Sequence, residues 1–259
     1  MNKQKILVIE DNQEVRDFLK SCLCKHYQLL FAINGQEGIQ MALEHIPDII
    51  LSDVMMPEKN GFEVIQILKN DPITSHIPIV LLTARAQSED RLNGLRYGAI
   101  AYLSKPFLEE ELLLVLHNQI SSQQVWKKRY SGFVQENPGT FASDNEAGAS
   151  VFKKEDEFME KLFQIFEENY ADEHFHLEQL CRLAGMSSSQ LHRKLDALTD
   201  QSAMQLLRNF RLHKARELLL NRPDIPVSEV ALLAGFNNAA HFSRLFSKTY
   251  GMPPSAAKK

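Results

Sequence analysis

The chain has 259 residues, 44% of them hydrophobic, and a formal net charge of −4. This length suits two domains with separate cores better than one. We find no run of about 18 apolar residues and no basic-then-apolar leader, so we expect no membrane span, no secretory signal and a cytoplasmic protein without a membrane partner.

Five short β-branched runs alternate with segments of helical spacing in the first 120 residues or so. The runs are KILVIE, QLLFAI, DIILSD, IPIVLLTA and AIAYLSKP. Because they are apolar throughout rather than alternating, they suit central parallel strands covered by helices on both faces. The sequence predicts a doubly wound α/β domain with a five-stranded parallel sheet over residues 1–122.

Polar and charged side chains stand where four of these strands end. They are Glu10, Asp11, Asp53, Thr83 and Lys105, the last followed by a proline. The carboxyl ends of parallel strands converge at one edge of a sheet, so three carboxylates, a hydroxyl and an ammonium are expected there.

Clustered carboxylates repel one another unless a cation or a proton compensates them. A set of oxygen ligands favours Mg²⁺, and a carboxylate can also attack phosphorus to form an acyl phosphate. Each residue has an ordinary alternative: Asp11 could cap the helix starting near Gln13, Thr83 could cap the helix after strand four, and Lys105 could be a solvated lysine.

Residues 123–155 are predicted as a linker, since QENPGTFASDNEAGAS is rich in Gly, Ser, Asn and Pro. From 156 to 259 every recognisable element is helical. This part contains an internal repeat, because LEQLCRLAGMSSSQLHRKL from Leu177 superposes on VSEVALLAGFNNAAHFSRLF from Val227 with one inserted residue.

Each repeat predicts a helix-turn-helix module. A short apolar helix meets a turn at Gly185 or Gly235, and a second helix starts after a predicted N-cap, Ser187 or Asn237. Small polar residues open both second helices, and basic residues that suit bases or phosphates follow: His192, Arg193, His241, Arg244 and Lys248.

The stretch AMQLLRNFRLHKARELLL between the modules predicts one long helix, about 25 Å in length. Such a helix could place two recognition helices in successive major grooves, about 34 Å apart. Residues 201–259 hold nine Lys and Arg against three Asp and Glu, which favours a polyanionic partner. A plain helical bundle is the alternative.

The strand-end residues over about 4–120 resemble the receiver domain of two-component response regulators, a flavodoxin-like fold. The resemblance implies that Asp53 accepts a phosphoryl group from a histidine kinase, and that Mg²⁺ is bound by Asp11, by Asp53, by Glu10 through water and by the backbone carbonyl of Met55. It further implies a phosphate-pairing Lys105, a switch hydroxyl in Thr83 and an aromatic switch in Tyr102, which could instead be an ordinary packing residue. Gly61 also stands where the family has a glycine. A dehalogenase-type phosphatase is a rival for an aspartyl nucleophile, but that family would need an acid at the position of Met55.

Residues 158–255 resemble the AraC-type DNA-binding domain, through FRLHKARELLL and VSEVALLAGFNNAAHFSRLFSKTYGMPP. The resemblance implies double-stranded DNA as a partner and the following DNA-facing residues: Ser188, Ser189, His192, Arg193, Asn238, Ala239, Ser243, Arg244 and Lys248. TDQSAMQ lacks the usual glycine and proline, which suggests a variant turn. PPSAAKK lacks the usual Tyr-Arg ending, which leaves the last helix short.

Together these patterns predict a phosphorylation-controlled transcription regulator rather than an enzyme, one that forms a homodimer when phosphorylated. Two alternatives stay open. The chain could be a phosphorelay or protein-interaction module that binds no DNA, or the carboxyl-terminal part of a hybrid sensor.

Overall fold

The computed structural model describes residues 3–84, 101–122, 127, 130 and 149–258. The chain divides into two compact units, Met1–Trp126 and Lys127–Lys259.

The first unit is a parallel sheet with helices on both faces. Its strands have the order β2-β1-β3-β4-β5, and every pair is parallel. The strands are β1 Lys5–Ile9, β2 Gln28–Ala32, β3 Ile49–Asp53, β4 Ile79–Thr83 and β5 Ala101–Ser104. The helices among the described residues of this unit are α1 Gln13–Leu23, α2 Gly35–His45, α3 Gly61–Asn70 and α4 Glu109–Ser122. The predicted five-stranded doubly wound fold is confirmed.

Two separate cores explain why the strands are apolar throughout. On one face Leu7, Ile50 and Leu81 pack with residues of α2 and α3. On the other face Val8, Leu51 and Leu82 pack with residues of α1 and α4. Because side chains alternate across a strand, a sheet covered on both faces needs apolar residues at every position.

The second unit is helical in the residues that are described. It contains α5 Ala149–Asn169, α6 Leu177–Ala184, α7 Ser188–Thr199, α8 Ala203–Asn221, α9 Val227–Leu233, α10 Ala239–Tyr250 and a closing 3₁₀ turn, Pro254–Lys258. The aromatic rings of Phe242 and Phe246 pack against α8 and α9 in one apolar cluster. Among the described residues, no helix has both the length and the apolar character needed to cross a membrane.

Both predicted turn glycines adopt left-handed backbone angles, with φ of 72° at Gly185 and 76° at Gly235. Ser187 caps α7 as predicted, and its hydroxyl accepts from the backbone N–H of Gln190. In the second module the cap is Asn238, whose side chain accepts from His241 N–H, so the prediction of Asn237 was wrong by one residue. The inserted residue of the repeat shifts the start of the helix.

The turn before α8 is built without glycine or proline. Asp200 ends α7 with a left-handed φ of 60°, a conformation that Asp tolerates better than most residues. Ser202 then caps α8 and forms a reciprocal capping box with Gln205. These two residues form the variant turn.

The predicted boundaries of the linker at 123 and 155 stay predictions. Helix α5 begins inside that stretch, at Ala149, and Tyr130 is fully buried. Most of the stretch lies outside the described residues.

Candidate functional site

Three carboxylates meet at the carboxyl edge of the sheet. Glu10 and Asp11 follow β1, Asp53 ends β3, and an oxygen atom of each lies within 4.8 Å of the others. Glu10 is 1% exposed and Asp53 is 9% exposed, whereas Asp11 faces solvent. The structure therefore brings together the three acids that the strand ends predict.

Lys105 joins two of these acids from the end of β5. Its Nζ donates to Glu10 Oε2 at 2.6 Å and to Asp53 Oδ2 at 2.8 Å. Its backbone N–H donates to the Thr83 carbonyl at 2.7 Å, which aligns the ends of β4 and β5. The peptide bond between Lys105 and Pro106 is cis. The side chain of Lys105 is thus 21% exposed and paired with two acids, and its role at the site stays a prediction.

The electrostatics of the cluster reflect burial and excess negative charge. Burial raises the pKa of Glu10, and the charge of Asp53 raises it further, while the hydrogen bond from Lys105 opposes both. Burial would lower the pKa of Lys105, but its hydrogen bonds and ion pairs with Asp53 and Glu10 outweigh burial and raise it. One ammonium faces three carboxylates, so a further cation would be attracted to this edge.

The donor set fits Mg²⁺. It consists of carboxylate oxygens, and one of the acids, Asp11, is open to solvent, which would allow the ion to keep part of its water shell. Met55 lies two residues after Asp53, and its N–H donates to Asp53 Oδ1 at 3.4 Å. The backbone N–H of Met55 is therefore next to the cluster, and the role of its carbonyl as a ligand stays a prediction.

Helix α1 is capped by Asn12, not by Asp11. The Asn12 side chain accepts from Glu14 N–H at 2.8 Å and from Val15 N–H at 3.2 Å. Because Asn12 already fills the capping position, the alternative role of Asp11 as a helix cap is wrong.

Gly61 lies directly against the backbone of Asp53. Its N–H donates to the Val54 carbonyl at 2.9 Å, and a Cβ at this position would collide with the Asp53 carbonyl. Only glycine allows α3 to begin so close to the end of β3.

Thr83 and Tyr102 share one face of the sheet. In the β4–β5 register Leu81 pairs with Tyr102 and Thr83 pairs with Ser104, so the two predicted switch residues lie on adjacent strands, two positions apart. Thr83 is buried and the ring of Tyr102 is half-buried against the core. The helix that Thr83 could alternatively cap lies outside the described residues.

The first predicted recognition helix, α7, exposes most of its predicted DNA-facing residues. Ser188, Ser189 and His192 face solvent and Arg193 is half-buried. Asp196, one turn beyond His192, is exposed on the same side. It was not among the predicted residues, although the helical spacing from Ser189 would have found it.

At the second predicted recognition helix, α10, the cap residue Asn238 and the helix residues Arg244 and Lys248 are exposed, while Ala239 and Ser243 are half-buried. The Ser243 hydroxyl donates to the Ala239 carbonyl at 2.9 Å, inside the helix itself. His241, predicted from its basic side chain, is exposed as well, and Ala240 and Thr249 are exposed positions of α10 that the sequence did not single out.

Helix α8 is less available to a polyanion than its composition suggests. Arg211 donates to the carbonyls of Tyr170 at 2.8 Å and Asp172 at 2.6 Å. Lys214 pairs with Glu167 at 2.8 Å, and the guanidinium of Arg216 lies 5.0 Å from the ring of Tyr250. Arg211 and Lys214 are therefore engaged in contacts within the unit, whereas Arg208 of the same helix is exposed.

The short carboxyl end closes on the body of the second unit. Pro254 and Ala257 are buried, and the ammonium of Lys258 donates to the carbonyls of Pro223 and Ile225. Lys258 thereby binds the loop between α8 and α9.

Comparison with known families agrees with this geometry. Residues 6–117 match the response regulator receiver domain, and residues 180–259 match a helix-turn-helix domain. The chain belongs to the response regulator receiver family and carries a carboxyl-terminal AraC-type helix-turn-helix domain.

Individual relatives match different parts of the chain. Histidine kinase P4 of Formosa agariphila is 32% identical over 253 residues, which are 98% of this chain and 18% of that protein. Protein PilH of Pseudomonas aeruginosa is 39% identical over 114 residues, which are 44% of this chain and 94% of PilH. Response regulator PleD of Caulobacter vibrioides is 44% identical over 103 residues, 39% of this chain and 23% of PleD. The chain thus spans less than a quarter of two of these relatives.

Among solved structures, a signal receiver domain of a signal transduction histidine kinase from Syntrophus aciditrophicus is 32% identical. The match covers 46% of this chain and 91% of that one, with a TM-score of 0.44.

Proposed function

We propose that this protein is a DNA-binding transcription regulator controlled by phosphorylation of Asp53 by a histidine kinase. The observation that carries the proposal is the contact of the Asp53 carboxylate with Lys105, beside Glu10 and Asp11, in a chain that also carries two helix-turn-helix modules. Because such a regulator works where DNA is, we place it in the cytoplasm.

The chemistry is a transfer between two covalent carriers. An oxygen of Asp53 forms a bond to phosphorus while the bond from phosphorus to the kinase's histidine nitrogen breaks, and the nitrogen keeps the electron pair. Mg²⁺, held by Glu10, Asp11, Asp53 and the Met55 carbonyl, would offset negative charge on the phosphoryl oxygens. The ammonium of Lys105, which donates a hydrogen bond to Asp53 in the unphosphorylated chain, is placed to donate to one of those phosphoryl oxygens.

The response begins at the neighbouring strand ends. We propose that the Thr83 hydroxyl bonds a phosphoryl oxygen and that Tyr102, on the same face of the sheet, changes position with it. This would shift an equilibrium between two arrangements of the unit, and the phosphorylated form would dimerise. Two joined copies would bind paired DNA sites more tightly, since the second contact becomes intramolecular.

Acetyl phosphate and Mg²⁺ provide the direct test of the chemistry. We expect intact-mass measurement to show a gain of one phosphoryl group in the natural chain and none in Asp53→Asn, which keeps the shape of the side chain but not its nucleophilic oxygen. An equal gain in both proteins would place the phosphoryl group elsewhere and contradict the proposal.

The Formosa relative supports a second candidate, in which these two units are the output part of a hybrid histidine kinase. That protein is named a histidine kinase, and its match to 98% of this chain covers both units. The phosphoryl donor would then be a histidine of the same polypeptide. This candidate predicts the same chemistry at Asp53 and the same DNA binding, and differs only in the donor.

A further inference from the structure

Two side chains that precede α5 contact helices of the second unit, Lys127–Lys259, to which they also belong. Lys127 Nζ donates a hydrogen bond to Asp200 Oδ1 at 2.9 Å, and the Tyr130 hydroxyl donates one to Asp156 Oδ1 at 2.6 Å. The two residues are three positions apart in the sequence. We name Lys127 and Tyr130 the anchor residues.

The anchor residues contact elements that position the first recognition helix. Asp200 is the residue at which α7 ends, and Asp156 lies on α5. Two positions further along α5, the ring of Phe158 lies 4.7 Å from Nζ of Lys194, a fully buried residue of α7. Helix α7 is therefore held on its buried side by α5 and at its end by Lys127.

The two contacts differ in strength. The side chains of Lys127 and Asp200 are 35% and 71% exposed, and an ion pair so open to water contributes little. Tyr130 is 0% exposed, and its hydroxyl donates to a carboxylate, which is a strong type of hydrogen bond. Loss of the hydroxyl would leave the partly buried carboxylate of Asp156 with one partner fewer. Tyr130 is thus the more important of the two.

We infer that Tyr130, acting through Asp156, is a positioning residue for α7 and hence for DNA recognition by the first module. This inference rests on the proposed DNA binding. The described contacts of the anchor residues reach α5 and α7, whereas α9 and α10 pack in the separate cluster around Phe242. The effect of Tyr130 should therefore be confined to the DNA half-site that the first module binds.

Tyr130 lies close in the sequence to the last described helix of the receiver. The last receiver helix, α4, ends at Ser122, only eight positions before Tyr130 in the sequence. A change in the receiver that displaces this part of the chain would reach the first module before the second.

The test uses the full chain and a DNA site with two half-sites. Tyr130→Phe keeps the buried ring and removes only the hydroxyl, and Asp156→Asn weakens the same bond from the other side. Tyr170→Phe is the matched control, because Tyr170 is a half-buried tyrosine of the same unit whose ring packs on Phe210 at 5.9 Å. Arg193→Ala identifies the half-site of the first module. When that half-site is scrambled, the natural chain and Arg193→Ala should bind the DNA with equal affinity.

We expect Tyr130→Phe and Asp156→Asn each to weaken binding to the intact site by roughly five- to tenfold. The loss should persist when the second module's half-site is scrambled and vanish when the first module's half-site is scrambled, while Tyr170→Phe should bind like the natural chain. A merely structural role would weaken binding to all three DNAs equally, and that outcome, or unchanged binding to the intact site, overturns the inference.

The proposed function can be judged separately in the same experiment. If the natural chain binds no site with sequence preference, DNA recognition itself fails and the inference fails with it. Hydrogen exchange then tests the role of Tyr130 without DNA. The Asp200 N–H donates to the Asp196 carbonyl at 3.1 Å, and Tyr130→Phe should speed the exchange of this N–H. Unchanged exchange would show that Tyr130 does not position α7.

Discussion

Two adjacent residues after β1 have different tasks. Asp11 contributes a carboxylate to the acidic cluster and is exposed, while Asn12 satisfies backbone donors at the start of α1. From the sequence alone either residue could be the helix cap, since Asp and Asn are both good N-caps. The hydrogen bonds of the Asn12 side chain decide the matter.

This division predicts opposite phenotypes for two neighbouring substitutions. Asn12→Ala should lower the free energy of unfolding by about 1 kcal/mol, because two donors of α1 lose their acceptor, and should leave phosphorylation by acetyl phosphate nearly intact. Asp11→Asn should slow phosphorylation strongly through weaker Mg²⁺ binding and should not lower stability. Urea unfolding and intact-mass kinetics on both variants measure the two effects. A stability loss in Asp11→Asn with normal phosphorylation would reverse the assignment.

An acid on the first recognition helix predicts a second residue-scale effect. Asp196 is exposed in line with Ser189 and His192, and its charge would repel phosphates of bound DNA. Asp196→Asn should tighten binding to DNA of unrelated sequence by a few-fold, and this gain should shrink at high salt as screening increases. Glu178→Gln, at an exposed acid on α6, is the control and should change affinity less. Equal effects of the two substitutions would mean that Asp196 lies away from DNA.

At the scale of elements, the strands were the most predictable part of the fold. Each of the five apolar runs became a strand because burial on both faces leaves a continuous signal in the sequence. The convergence of Glu10, Asp53 and Lys105 followed from topology alone, since parallel strands bring their carboxyl ends to one edge.

Features that depend on local backbone angles or on distant partners were harder to predict. The shift of the second module's cap from Asn237 to Asn238 changes only one turn, and neighbouring asparagines carry the same capping signal. The contacts of Arg211 with Tyr170 and Asp172, and of Lys214 with Glu167, could not be derived from α8 itself, because these partners lie on or just after α5. Composition alone therefore overestimated the positive charge that α8 offers to DNA.

Helix α8 also predicts a dependence of stability on pH. Burial lowers the pKa of His213, and the cations Lys214 and Arg216 act in the same direction, while Glu217, whose Oε1 lies 3.4 Å from Nε2, opposes them. The folded protein therefore binds this proton less readily than the unfolded chain, whose histidine pKa is about 6.5. Stability should consequently fall as the pH drops below that value.

Replacement of His213 by Gln isolates this contribution. Between about pH 7.5 and pH 5.5, the natural chain should lose more unfolding free energy than His213→Gln, as measured by urea denaturation at each pH. A matched exposed residue is His192, and His192→Gln should retain the natural pH dependence. Identical slopes for the natural chain and His213→Gln would exclude His213 as the source.

At the scale of the whole molecule, the proposed phosphorylation takes place in one unit and the proposed DNA recognition in the other. The acidic cluster lies in Met1–Trp126 and the helix-turn-helix modules lie in Lys127–Lys259. Coupling between them requires that phosphorylation change the relative free energies of two states that differ in DNA affinity. A phosphorelay module that binds no DNA would share the first unit's chemistry but lack this coupling.

The measurement that tests this claim most directly is DNA affinity before and after treatment with acetyl phosphate and Mg²⁺, with intact mass recorded on the same samples. We predict that affinity rises by about tenfold or more in the natural chain, stays constant in Asp53→Asn, and falls steeply with salt in both. A natural chain that gains one phosphoryl group yet binds DNA with unchanged affinity would contradict the account.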